Sequence, residues 1–376
     1  MAWVGFALGL VVLVVVATSV LFTLVVPRGI ASRLSVFVGR TIVRQVFVFV
    51  ADRFERYETQ DRILAVSGPL ALLTIFVVWL LGLLLGYTLL LWPLAGHTFF
   101  TALREAGSST FTLGFAAAPN SAATTVDFAA AGTGLLVVAL EIAYLPTIYA
   151  AFNRREALVT LLQSRAGVPA WGPEILARHH LVGLMGNLPA FYREWEYWAA
   201  EIAESHSNYA VLISFRSPHP LRSWVLAVIA VLDAAALQLA LNPESAPTDA
   251  RLCLRMGFVA LRDIAGVMKI PFDPDPSPDA PLDLTYDDFM EAVQRLDEVG
   301  FTMERSPEEA WPHFRGWRVN YEPIGYALAL FTSAPPGPWS GPRRRGTTIA
   351  PQRPLDRTPD DPAGARNTGG RWQRLN

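Results

Sequence analysis

The chain has a single cysteine, Cys253, and Lys269 is the only lysine among its 31 basic residues. One cysteine excludes an internal disulfide framework and any cysteine-based structural zinc site. The arginine-heavy basic set reads as coding bias, not as a phosphate site. Charge itself is scarce: 17% of the 376 residues are charged and the net charge is −2, so the composition gives no footprint for a nucleic-acid partner. Catalytic signatures are missing too. The histidines (His97, His179, His180, His206, His219 and His313) form no HExxH and no i,i+4 pair, and no GxSxG, Walker A or GxGxxG occurs. These absences predict a protein that is not an enzyme and carries no cofactor.

What is present is apolar surface. Hydrophobic residues make up 52% of the chain and the mean hydropathy is +0.31, more apolar than a typical soluble domain. Residues 1–27 carry no charge and are long enough for a membrane helix, which needs roughly 20 apolar residues. Gly68 to Pro93 forms a second such run, and Thr133 to Phe152 a third, with Glu141 its one charge. Arginines concentrate between the first two runs (Arg28, Arg33, Arg40, Arg44, Arg53, Arg56, Arg62) and after the third (Arg154, Arg155, Arg165), whereas Arg104 stands alone between runs two and three. The positive-inside rule then places 28–67 and the C-terminal region in the cytoplasm of a multi-pass cell-membrane protein, with the N-terminus outside. Within 28–67, Ile30 to Val50 carries Arg33, Arg40 and Arg44 on one helical face, which predicts an amphipathic helix lying in the interface against membrane lipid.

Between the second and third runs, residues 97–119 begin with a stretch that makes a helix too short to span. It continues into the small, hydroxylated segment Ser108-Ser-Thr-Phe-Thr-Leu-Gly-Phe115. Irregular backbone at membrane depth is tolerated where it is buried in protein or lines a water-filled path, so the pattern reads as a re-entrant pore loop. Here 68–153 resembles the potassium-channel family in its form with two helices per pore: Thr112-Leu113-Gly114-Phe115 is similar to the Thr-Val-Gly-Tyr filter signature. In that signature backbone carbonyls replace the ion's hydration shell and glycine permits the backbone to aim them. The resemblance implies an ion filter at Thr112, Leu113, Gly114 and Phe115, a permeant monovalent cation, potassium first, and a homotetramer around one axis. This chain has Ala116 and Ala117 where the family has its second glycine and aspartate, Phe111 where many members have threonine, and Phe115 for tyrosine. These departures bear on which ion passes.

The third run would then line the pore. Glu141 has two readings: a cation-attracting carboxylate ring, or a neutral carboxyl hydrogen-bonded to a neighbouring helix. Pro146 removes one helical hydrogen bond, which suits either a gate hinge or a packing kink. Residues 154–333 read as a cytoplasmic helical domain, with helices around Asp249–Lys269 and Thr285–Val299, the latter opened by a capping-box-like pair, Thr285 and Asp288. Ser223 to Leu241 is long enough for a fourth span, but Asp233 and Gln238 and its alanines favour a helix inside a bundle. Phe272 to Asp283 reads as a stiff acidic linker. The Pro/Gly/Arg-rich 334–376 reads as a disordered tail, whose Arg343, Arg344 and Arg345 could meet anionic lipid. The fold expected is thus an all-α membrane protein: an N-terminal transmembrane helix, a two-helix pore module, a helical cytoplasmic domain and a tail. The rival expectation is a non-conducting membrane-anchored scaffold or sensor.

Overall fold

The computed structural model describes residues 2–26, 32–95, 98–342 and 348–352. Arg28, His97 and the Arg343–Arg345 run, each singled out above, lie outside the described residues. The described residues are helical: α1 (Ala2–Val20), α2 (Arg33–Val36), α3 (Arg44–Ala51), α4 (Tyr57–Ala65), α5 (Ser67–Leu94), α6 (Phe99–Thr110), α7 (Ser121–Ala166), α8 (Gly172–Leu181), α9 (Leu188–Asn208), α10 (Trp224–Leu241), α11 (Thr248–Met268), α12 (Tyr286–Glu298), α13 (Pro307–Arg318) and α14 (Glu322–Phe331). The described residues contain no strand, only an isolated bridge between Val168 and Gln352. Five helical stretches are long and apolar enough to cross a membrane: Ala2–Val25, Arg33–Ala51, Tyr57–Leu94, Ser121–Ala166 and Trp224–Leu241. The chain divides into two compact units, the first made of Met1–Ala51, Val66–Ala151 and Asn208–Phe215, the second of the remainder.

In the first unit α1 lies along α5 through two glycine pairs four residues apart, Gly5/Gly9 and Gly82/Gly86. A Cβ on Gly9 would stand 2.8 Å from the Gly86 carbonyl oxygen, and one on Gly86 would stand 2.6 Å from Leu13. Helices in lipid gain little from hydrophobic burial against each other, so small residues that let backbones approach are what holds such a pair. The opposite side of α1 is exposed, with Trp3 and Val14 more than half accessible. Hydroxyls fasten α2 to the pair: the Trp79 indole donates to Ser19 Oγ at 2.9 Å, Ser32 Oγ donates to Ser19 at 2.8 Å, and Thr23 and Ser35 stand 2.9 Å apart. Arg33–Ala51 forms one helical stretch, with π-helical turns at Phe37–Val43, and packs on α5 through Gly39, whose Cβ position is 3.5 Å from Ile75.

The second unit is built around α10. Its apolar run, ambiguous in the sequence, is 94% buried within the chain, against 22–39% for the other candidate stretches. It is therefore a core helix surrounded by α8, α11, α13 and α14, not a lipid-facing one. Its polar residues have partners. Gln238 accepts from the Tyr192 hydroxyl at 2.9 Å, and Asp233 is paired with the fully buried Arg318. That guanidinium also binds Glu322, the Tyr326 hydroxyl at 2.8 Å and the Trp339 carbonyl at 3.0 Å. A buried charge is tolerable only with such complete satisfaction. Glu174, wholly buried, is held likewise by Arg178 at 3.0 Å and by Arg295 at 2.8 Å.

The expected capping box at Thr285–Asp288 is present, and a second, Ser306–Glu309, opens α13. The tail expectation needs correcting in part. Residues 334–342 and 348–352 are placed against the second unit: Ala334, Trp339 and Ser340 are buried, and the Gln352 amide donates to the Val168 carbonyl at 2.8 Å. Proline and glycine deny this segment regular structure, but its one large aromatic supplies an anchor.

Candidate functional site

The segment of interest lies wholly within the first unit. α6 is 12 residues long, so at about 1.5 Å per residue it covers roughly 18 Å, well short of the ~30 Å hydrocarbon core. Thr98 caps it, accepting from the Thr101 amide at 3.4 Å. Ala102 and Ala106, both fully buried, turn one face inward, and Gly107 lies close to Leu84 of α5.

Beyond α6 the backbone folds back on Ser108. The Leu113 and Gly114 amides donate to the Ser108 carbonyl at 2.8 and 3.4 Å. The Phe115 and Ala116 amides donate to Ser108 Oγ, both at 3.0 Å. Successive N–H groups can converge on one point only if the backbone alternates in handedness, which is the geometry of a nest. The dihedrals show that alternation: φ is +54° at Thr112 and +71° at Gly114, whereas Leu113, Phe115 and Ala116 are not among the positive-φ residues. Glycine takes such a φ freely, but a β-branched residue does so only under strain. Alanine at 116 is therefore compatible with the backbone found, because that residue needs no left-handed conformation.

In a trans peptide the N–H and the preceding C=O point in opposite directions. With the amides of 113–116 turned onto Ser108, the carbonyls of Thr112, Leu113, Gly114 and Phe115 point away from it. Among the described residues no hydrogen bond reaches these carbonyls. Leu113 and Phe115 are 62% and 53% exposed, and the Arg104 guanidinium lies 5.3 Å from the Phe115 ring centre. Ser108 is 1% exposed. The result is a row of oxygens on the outside of a loop whose amides are all used inside it.

Contacts with α5 and α7 hold both ends of this loop. The Ser109 hydroxyl donates to Asp127 at 2.7 Å. Asn120 donates to the Leu94 carbonyl at 2.9 Å and accepts from the Ala123 amide at 2.9 Å. Gly134 meets the end of α6 so closely that a Cβ there would stand 2.1 Å from the Thr110 carbonyl oxygen. Tyr87 adds a brace from α5, 2.8 Å from Thr133.

Along α7 the buried positions in this unit are Ala123, Ala130, Gly134, Val137, Glu141, Tyr144, Ile148 and Ala151, mostly three or four apart, a single stripe. Glu141 thus belongs to the face packed within the chain, at 7% exposure, while Phe128, Leu135, Leu136 and Ile142 lie open at 56–75%. Pro146 is exposed, and α7 stays helical through it. The structure thus brings Thr112, Leu113, Gly114 and Phe115 together in one loop and sets Glu141 and Pro146 on different faces of α7. Sequence reasoning missed Ser108 and Gly134. One hydroxyl in a run of three carries no local mark, and Gly134 reads like any small residue of a membrane helix.

Among the described residues no group of three or more His, Cys, Asp or Glu is arranged to hold a metal ion. In the second unit His206 Nε2 lies 3.1 Å from the Arg155 guanidinium, which can only donate, so Nε2 is the acceptor of a neutral ring. Burial, and then Arg155, hold that histidine well below its ordinary pKa. His179 is lowered as well, chiefly by burial. No protein-family model, curated protein or solved structure matches this chain.

Proposed function

We propose that the chain is one subunit of a cation-conducting pore of potassium-channel type, a homotetramer in which the carbonyls of Thr112, Leu113, Gly114 and Phe115 form the filter. One observation carries this reading: four successive carbonyls lie unpaired on the outer side of the loop because Ser108 takes the amides behind them. Unpaired backbone carbonyls are what a dehydrated cation requires. A single row cannot surround an ion, so copies of the chain must supply the other rows. Exposed Leu113, Phe115 and the open face of α7 are the surfaces those copies would cover. Glu141 faces the chain's own packing, so a carboxylate ring at that level is not part of the proposal. Pro146 is retained as the gate hinge.

The arginine distribution supports an extracellular N-terminus and a cytoplasmic second unit. Arg33–Ala51 is read as an interfacial helix, because a span there would place Arg40 near its middle at about 2.5–3.5 kcal/mol. Permeation of a monovalent cation, potassium first, is the function proposed, with membrane lipid around the first unit.

The test is single-channel recording from purified protein in planar bilayers under opposed potassium and sodium gradients, with Gly114→Ala as control. That control is clean because nothing lies within 4 Å of a Cβ at 114; the substitution adds only the left-handed strain of about 1–2 kcal/mol. Current that the control abolishes, reversing near the potassium equilibrium potential, is the expected result. Current reversing near zero would instead mean a pore without selectivity. A silent sample that native mass spectrometry shows to be monomeric would sink the proposal in favour of a membrane-anchored scaffold.

A further inference from the structure

The second unit contains a titratable group that the proposed pore does not use. α7 is one helix from Ser121 to Ala166, and its last turns, from Phe152 onward, belong to that unit. Arg155 on those turns is buried, and its guanidinium lies between two rings, 5.2 Å from the centre of Phe152 and 5.5 Å from that of Trp224. Glu156 takes one edge of it, 2.9 Å from Nε and 2.8 Å from Nη2. His206 of α9 takes the other, with Nε2 3.1 Å from Nη1. Two further contacts tie the same turn to α9: the Trp198 indole donates to the Arg155 carbonyl at 3.1 Å, and Arg154 pairs with Glu201.

The His206 ring is 0% exposed, and nothing around it favours a proton at Nε2. From α7 it faces the Arg155 guanidinium, and from α10 the Trp224 ring, with 5.0 Å between centres. From α9 itself it meets the Ser205 hydroxyl at 3.1 Å and the Ile202 carbonyl. Glu156 is engaged on the far edge of the guanidinium, and among the described residues no carboxylate reaches the ring. A proton on Nε2 would turn the acceptor into a second donor facing an arginine, with both charges held away from water. The ring therefore gains that proton only where α7 and α9 part.

We propose that His206 and Arg155 form an acid-released latch, in which proton uptake by His206 frees the last turns of α7 from α9. α7 is the helix proposed to line the pore and to bend at Pro146, so the latch makes opening of the pore respond to cytoplasmic acid; this second step rests on the pore reading. The sign follows from linkage. Closed, the latch holds His206 well below its ordinary value, whereas the parted ring titrates near 6.5. The contact is therefore complete above that pH and weakens as pH falls, and its opening equilibrium rises by up to about 25-fold between pH 7 and pH 5.

The experiment is amide hydrogen exchange on the full chain in lipid nanodiscs at pH 7 and pH 5, corrected for the intrinsic rate, with single-channel recording on the same protein. Opening at residues 153–158 should rise by up to about 25-fold in acid. His206→Gln should abolish that rise, because the amide oxygen can still accept from Arg155 but does not titrate in this range. An unchanged wild type would overturn the proposal without recourse to any variant. So would a rise that survives His206→Gln, or equal exchange at 153–158 and in α10 at pH 5, which would mean that the whole unit unfolds. In the recordings, the wild type should open more often at cytoplasmic pH 5 and His206→Gln should not; a conducting wild type indifferent to pH would overturn the regulatory role. The expected exchange from a sample silent at both pH values would uphold the latch and count against the pore reading instead.

Discussion

Replacing Ser108 with alanine tests the site at its most specific point. The backbone carbonyl of Ser108 survives the change and still receives Leu113 and Gly114, whereas the hydroxyl oxygen receiving Phe115 and Ala116 is lost. Leaving a buried donor unsatisfied costs about 1–3 kcal/mol. Phe115 is 53% exposed, so water reaches the loop and the lower end applies, about 1 kcal/mol for each amide. Together that is about 2 kcal/mol, roughly a thirtyfold shift in the local opening equilibrium. Amide hydrogen exchange on the chain in lipid nanodiscs reads this directly. Exchange at 115 and 116 should accelerate by about that factor, and exchange at 113 and 114 by much less. Unchanged protection at 115 and 116 would refute the clamp, and equal loss at all four amides would refute the division of labour between the carbonyl and the hydroxyl.

Other consequences are as specific. Thr112→Gly should raise the thermal midpoint, since it removes about 1–2 kcal/mol of left-handed strain for a smaller cost in chain entropy, while Gly114→Ala should lower it; equal signs would contradict the alternating backbone. Gly134→Ala should cost about 1–3 kcal/mol by overpacking, because the obstacle is the Thr110 carbonyl and backbone cannot step aside; an unshifted melting curve would count against the α6–α7 contact. His179 and His206 are both lowered in the folded state, so below their ordinary value of about 6.5 the unfolded chain binds more protons. The stability they confer is complete above that pH and declines as pH falls, by up to about 1.4 kcal/mol per pH unit for each; a melting temperature flat from pH 7.5 to 5.5 would contradict this, and His206→Gln should halve the slope.

Several features were legible in the sequence because they rest on local rules. Uncharged runs marked α1, α5 and the membrane part of α7, and Thr285 with Asp288 marked the start of α12. Asp233 and Gln238 marked α10 as a bundle helix, and each has its buried partner, Arg318 and Tyr192. Hydropathy alone could not decide α10, since protein and lipid interiors are alike apolar and only the surrounding helices distinguish them. Long-range facts left no such mark. The glycine pairs on α1 and α5 show a spacing but no partner until both helices are placed. Trp339 lies in a stretch whose composition argues for disorder, and the Arg318 that its carbonyl receives is 21 residues away. At the loop, glycine at 114 announced a left-handed turn, but threonine at 112 argued against one, and only the convergence on Ser108 makes both conformations necessary.

The Ser108 clamp also bears on the order of events during biogenesis. Every amide it gathers belongs to the same chain and lies within eight residues of it. The loop is therefore shaped during the folding of one polypeptide, and neither an ion nor a second copy is required as a template. If copies assemble as proposed, each brings its oxygen row already formed, and assembly has only to align the rows.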